Sequence, residues 1–249
     1  MSKRLEYLQY FFLPLQYLQK FFLSVLLAIP DFLLIAYVTG PPHNIAPFTI
    51  TIFMLMTGLP GAIFGSLIFA KISDKLAERN FKFRVYLIIT SLIGIFGLFL
   101  AIFMLPLPNF SPSEGRNIVI IFTNPEILAL GAMAFLAKMI LTIYSINQPP
   151  ILQKINLPEA QGKISSANKF LESIGSGLGL MIAGALLINL NQNYQLTVLV
   201  SVLIGMIGCL IWLFGAKSIN KDILRISSIL DSRAVELKEE YQVANELSL

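Results

Sequence analysis

The chain has 249 residues, of which 56% are hydrophobic and only 13% charged, with 19 Phe and a mean hydropathy of +0.75. A soluble domain carries about a quarter charged residues, so a soluble enzyme or binding module is excluded at the outset. The formal charge of +4 is small and is explained below by topology, so it is not read as a nucleic-acid signal.

The apolar residues lie in runs of about 20, long enough to cross a hydrocarbon core of roughly 30 Å. Runs of that length indicate helices rather than the short strands of a barrel. The expectation is an all-α, multi-pass protein of the cell membrane, with the lipid bilayer as its first partner.

Residues 1–15 (MSKRLEYLQYFFLPL) are aromatic and amphipathic and read as an interfacial segment. They contain no compact apolar core ending in a small-residue cleavage site, so the first span itself serves as the insertion signal. That span runs from Gln16 to Thr39, with Lys20 near its start and Pro30-Asp31 well inside, and Gly40-Pro41-Pro42-His43-Asn44 ends it. The second span, Pro47–Ile72, contains Gly58, Pro60, Gly61 and Gly65. Its end reads as breaking into a basic loop, with Lys71, Lys75, Arg79, Lys82 and Arg84 around Asp74 and Glu78.

The third span is Val85–Pro106, followed by a polar loop, Asn109–Asn124, whose one cation is Arg116. The fourth, Pro125–Gln148, carries Lys138 and is expected to stop at Asn147-Gln148-Pro149-Pro150. The fifth, Ile164–Leu190, holds Lys169, Glu172 and a run of glycines. The sixth, Leu196–Ala216, holds the lone Cys209, which rules out an internal disulfide. The spans together give a transmembrane domain over 16–216.

Residues 217–249 differ in kind. Ile219, Ile223, Ile226, Leu230, Leu237 and Tyr241 recur at helical spacing among many charges. This predicts an amphipathic cytoplasmic helix that lies on the membrane surface, pairs with a partner, or stands solvated without one.

Six spans put both ends on one side, and the cations identify that side. Fourteen of the 18 Lys and Arg fall in the termini and in the connections on one face, against Arg116 alone on the other. The expected topology is N-terminus in, C-terminus in.

Two stretches carry a resemblance. The loop Asp74-Lys75-Leu76-Ala77-Glu78-Arg79-Asn80-Phe81-Lys82-Phe83-Arg84 resembles the Asp-plus-basic cytoplasmic loop of the major facilitator superfamily. Leu157-Pro158-Glu159-Ala160-Gln161-Gly162, with the glycines from Gly175 to Gly184, resembles the Pro-Glu connection and glycine-rich penultimate helix of that family. The likeness spans most of 45–216, with departures at Ala70 (usually Gly), Gln161 (usually Arg) and Leu180 (often Pro). Members usually have twelve spans, so this chain is similar to a C-terminal six-helix half.

The resemblance implies a half bundle of three plus three inverted helices. It also implies secondary transport of a small-molecule substrate by alternating access, and a second six-helix half in trans, as a separate chain or a second copy. It makes Asp74, with Lys75, Arg79 and Arg84, a gating latch. Physically, those cations also suffice to anchor topology and bind anionic headgroups.

Ionisable residues within spans are costly, so they face a cavity or a partner. Lys138 sits near the midplane, as a cavity-lining cation or in a pair with Asp31 or Glu172. Asp31 either titrates in proton coupling or is a helix-break residue near the interface. Lys169 and Glu172, three apart, can pair with each other, and Lys20 can snorkel to the inner surface. Asn147, Gln148 and Asn168 are candidates for polar lining of a substrate pathway. Gly61, Gly65, Gly175, Gly179 and Gly184 are read as helix-packing positions.

The chain contains no Ser-His-Asp or Cys-His arrangement, phosphate-cradling Gly-Lys motif or Cys/His metal spacing, and His43 is its one histidine. No enzyme, cofactor or metal is expected. The competing reading from another class is a truncated or non-transporting scaffold or regulatory subunit, with the tail as its working part.

Overall fold

The computed structural model describes residues 12–247. Its helices are α1 (Phe12–Thr39), α2 (Pro47–Arg79), α3 (Lys82–Met104), the one-turn α4 (Ile120–Thr123), α5 (Pro125–Lys154), α6 (Pro158–Asn189) and α7 (Tyr194–Leu247), with a 3₁₀ turn at Glu114–Arg116. No strand occurs among the described residues. Six helices, all but α4, are long and apolar enough to cross a membrane. Pro47, Pro125 and Pro158 open α2, α5 and α6 in the first turn, where a missing N–H removes no intrahelical bond.

The helix ends differ from the sequence expectation in five places, one of them the start of α6, which begins at Pro158 rather than Ile164. Residues 1–11 lie outside the described residues, and 12–15 belong to α1. The basic stretch is mostly helix, because Lys71–Arg79 is rich in strong helix formers and α2 runs on to Arg79. Only Asn80 and Phe81 interrupt it: the Asn80 backbone N–H donates to the Leu76 carbonyl, and its Oδ1 accepts from the Lys82 N–H at 3.0 Å.

Helix α5 passes through Pro149-Pro150 and ends at Lys154. Buried Ile151 and Ile155 hold its last turn against the core, the kind of tertiary support that lets a membrane helix tolerate proline. The tail is the continuation of the sixth span, giving one helix of 54 residues. No Pro or Gly follows Gly215 to stop it. Ile226 packs with Leu157 and Ile164 in a small cluster over the α5–α6 connection, so the tail's first half is docked on the bundle.

Packing follows a simple order of neighbours. α1 lies along α6 and α7, α5 lies along α2 and α3, and α3 meets α7. The row therefore reads α6–α1–α7–α3–α5–α2. The core runs along its middle, with Leu26, Ile29 and Leu33 of α1, Ile88, Leu92 and Ile95 of α3, and Trp212 of α7 all essentially buried.

The two outer contacts are glycine contacts. A Cβ at Gly61 would strike the Phe135 carbonyl, and one at Gly65 would lie 2.6 Å from the Met139 carbonyl oxygen. On the other side a Cβ at Gly175 would lie 2.7 Å from the Phe21 carbonyl oxygen, and one at Gly179 2.5 Å from that of Val25. Glycine lets the backbones approach there. Gly184 differs: a Cβ on it meets nothing, so the structure supplies no close contact at that position.

Candidate functional site

Three polar groups interrupt this apolar bundle. The first is at mid-span between α1 and α5. Asp31 lies eight residues, or about 12 Å, before the end of α1, and Lys138 thirteen residues, or about 20 Å, into α5. Lys138 Nζ reaches Asp31 Oδ2 at 3.2 Å. Pro30 does not break α1, which continues to Thr39, so Asp31 is a mid-helix residue and not a helix-break residue at the interface. The pair is open on one side, with 39% of the Lys138 and 56% of the Asp31 side chain exposed. It borders a cleft of about 270 Å³, walled by Leu27, Met54, Phe99 and Leu141. α2 passes beside the lysine stem at Gly58, where a Cβ would sit in ordinary contact, 3.5 Å from Lys138 Cγ. A charge at mid-membrane costs about 2.5–3.5 kcal/mol on insertion scales, so such residues face protein or water rather than lipid tails.

The second group sits at the basic end, where α1, α5 and α6 meet. Glu172 bridges two lysines: Lys20 of α1 at 3.0 Å and Lys169, one turn before it, at 2.8 Å. Lys20 does not snorkel outward. Its side chain is 13% exposed, and its Nζ stands 5.4 Å from the centre of the Tyr144 ring. Gln148, Ser165 and Asn168 also line the adjoining pocket, whose volume is about 180 Å³.

The third group joins α2, α3 and α5. Arg84, nearly buried, donates from Nη2 to Asp74 Oδ1 at 2.5 Å and from Nη1 to Asn147 Oδ1 at 3.1 Å. Asn147 Nδ2 in turn donates to Ser73 Oγ at 2.9 Å. Among the described residues Asp74 pairs with neither Lys75 nor Arg79. Asn147 is fully buried in this group, so it lines neither cavity.

No protein-family model, no curated protein and no solved structure matches this chain. The three groups themselves carry what can be said of its chemistry.

The structure thus brings Lys138 to Asp31, and gathers Lys169, Glu172, Gln148 and Asn168 around one pocket. Arg84 and Asn147 meet at Asp74. Sequence reasoning passed over Ser73, Tyr144, Gln16 and Gln19, all buried. For Gln16 a signal existed: it stands four residues before Lys20, on the same helical face. Ser73 and Tyr144 carry none, since a serine or tyrosine in an apolar helix is unremarkable until its neighbours are known. At the end of the bundle opposite the basic one, His43 is buried with Nδ1 2.9 Å from the Pro108 carbonyl and its ring edge-on to Tyr37. Those contacts tie the α1–α2 turn to the loop after α3.

Proposed function

We propose that this chain is one six-helix half of a secondary transporter of the major facilitator type. It moves a small polar solute by alternating access against a second half supplied in trans. The observation that carries the reading is the Asp31–Lys138 ion pair, held at mid-span on a cleft and open on one side. A charged pair in that position calls for a body that covers it, and a cleft that opens and closes against such a body is a transport pathway.

The pattern of packing supports a three-plus-three repeat. Exchanging α1 with α5, α2 with α6 and α3 with α7 turns the set of neighbours into itself. The glycine contacts follow the same exchange. One displacement along the chain separates Gly61 from Gly175, Gly65 from Gly179, Phe21 from Phe135 and Val25 from Met139. In this reading the Asp74–Arg84–Asn147 group is the latch at the basic end, and Lys138 and Asp31 line the pathway.

The test is solute uptake into proteoliposomes, with the chain reconstituted alone and with any six-span chain encoded beside it. Lys138→Ala is expected to lower uptake by at least tenfold, with the protein still folded. The transport reading fails if Lys138→Ala and Asp74→Asn leave activity unchanged while removal of residues 217–249 abolishes it. That outcome supports a scaffold or regulatory subunit, which one observation favours: past Arg233, α7 leaves the apolar side chains of Val235, Leu237 and Tyr241 exposed.

A further inference from the structure

We infer that the pocket between α1, α5 and α6 is a binding subsite for a small organic anion that also carries a hydrogen-bond donor, such as a hydroxy- or amino-carboxylate. Three observations lead there. The wall holds two lysines and one carboxylate, so after Glu172 has bridged Lys20 and Lys169 one positive charge is left over. Asn168, 94% buried by its 6% exposure, lines the pocket with neither its Oδ1 nor its Nδ2 partnered. Gln148 of α5 and Ser165 of α6 add further polar side chains to the same wall.

A buried amide without a partner is destabilising, because it has lost its water and gained nothing in return. A ligand that supplies both an acceptor and a donor removes that deficit. The Asn168 N–H group and the surplus lysine charge suit a carboxylate, and the Asn168 carbonyl suits a hydroxyl or ammonium beside it. The pocket is small, which limits the ligand to an anion of a few heavy atoms. This differs from the mid-span cleft, whose ion pair is neutral as a unit and whose remaining wall is mostly apolar. The same chemistry is found in two sources: a soluble acid, or the headgroup of an anionic lipid with a free hydroxyl or amine. The inference rests on the transport reading only in calling the ligand a substrate.

The experiment follows thermal unfolding of the full chain in neutral phosphatidylcholine nanodiscs, by the fluorescence of its single, buried Trp212. L-malate, L-lactate and L-serine are titrated in turn, and the discs are then remade with phosphatidylglycerol or phosphatidylserine. A saturable rise in Tm with at least one probe is expected, about 5–10 °C at a hundred times Kd. Asn168→Ala and Lys169→Gln should each weaken that binding at least tenfold.

Without ligand, Asn168→Ala should melt at or above the wild-type temperature, since it removes an unpartnered amide. A shift with anionic lipid alone, lost in Asn168→Ala, assigns the subsite to a headgroup. No shift with any probe overturns the inference, as does an equal shift in Asn168→Ala or a large loss of stability in that variant before ligand is added. Binding is read without transport, so a saturable shift in a chain that moves no solute would sink the transport reading and leave the subsite standing.

Discussion

At the scale of single residues, the ion pairs differ in what surrounds them, and that difference sets what each substitution does. Asp31 and Lys138 are half open, so removing either leaves one charge stranded at mid-span without collapsing a core. Asp31→Asn and Lys138→Ala are each expected to lower Tm. The double variant should melt above the sum of the two losses, with a coupling of about 0.5–3 kcal/mol in a double-mutant cycle. A strictly additive cycle would mean that the two side chains do not pair in the membrane. Arg84 is the opposite case, a nearly buried guanidinium whose one carboxylate partner among the described residues is Asp74. Asp74→Asn should destabilise the protein by leaving that charge uncompensated, and Arg84→Met on that background should recover part of the loss. Chemical denaturation in detergent reads both.

At the scale of elements, the glycine stripes and the long helix make separable predictions. Gly65→Ala drives a Cβ into the Met139 backbone and the Thr142 hydroxyl, so α2 and α5 must part and Tm should fall by several degrees. Gly184→Ala meets open space and replaces a poor helix former, so it should leave Tm unchanged or raise it. Equal effects at the two positions would contradict the packing described. Removing residues 234–249 deletes exposed or undescribed chain and should leave Tm within a degree or so. Removing 217–249 uncovers Leu157 and Ile164 and should lower it clearly.

The elements were the legible part of this chain. Runs of about 20 apolar residues declare spans whatever packs on them, which is why six are found where six were expected. The ends were less legible. Whether Pro149-Pro150 stops a helix depends on Ile151 finding a buried place, and whether 217–233 stays attached depends on Leu157 and Ile164. Both are tertiary facts. The site was legible as a list of costly residues and not as pairs. Lys138 had two candidate carboxylates, and which one it meets depends on α1 and α5 facing each other across the cleft.

At the scale of the whole molecule, the order α6–α1–α7–α3–α5–α2 leaves α2 and α6 at the ends, each with an exposed apolar flank that includes Leu59, Ile63, Phe64 and Leu67 on α2 and Phe170 and Met181 on α6. The orientation in the membrane is open to a direct check. With Cys209 replaced by serine, single cysteines at Ser113 and Asn80 should be labelled from opposite sides by a membrane-impermeant maleimide, Ser113 from outside and Asn80 from inside. Labelling of both from one side would overturn the six-span topology.

One consequence of the continuous α7 is mechanical. The helix crosses the bundle between α1 and α3 and then runs on without a hinge residue, so its far part moves as the near part does. From Ala216 to Leu247 it extends about 46 Å at 1.5 Å per residue. A tilt of about 10° in the span would therefore carry the tip roughly 8 Å sideways, unless the docking of Ile226 and the Arg233–Glu159 bond at 2.6 Å restrains it. Those contacts act as a clamp on a lever. A helix at the middle of the bundle would thus carry any change in its own inclination tens of ångströms beyond the packed core.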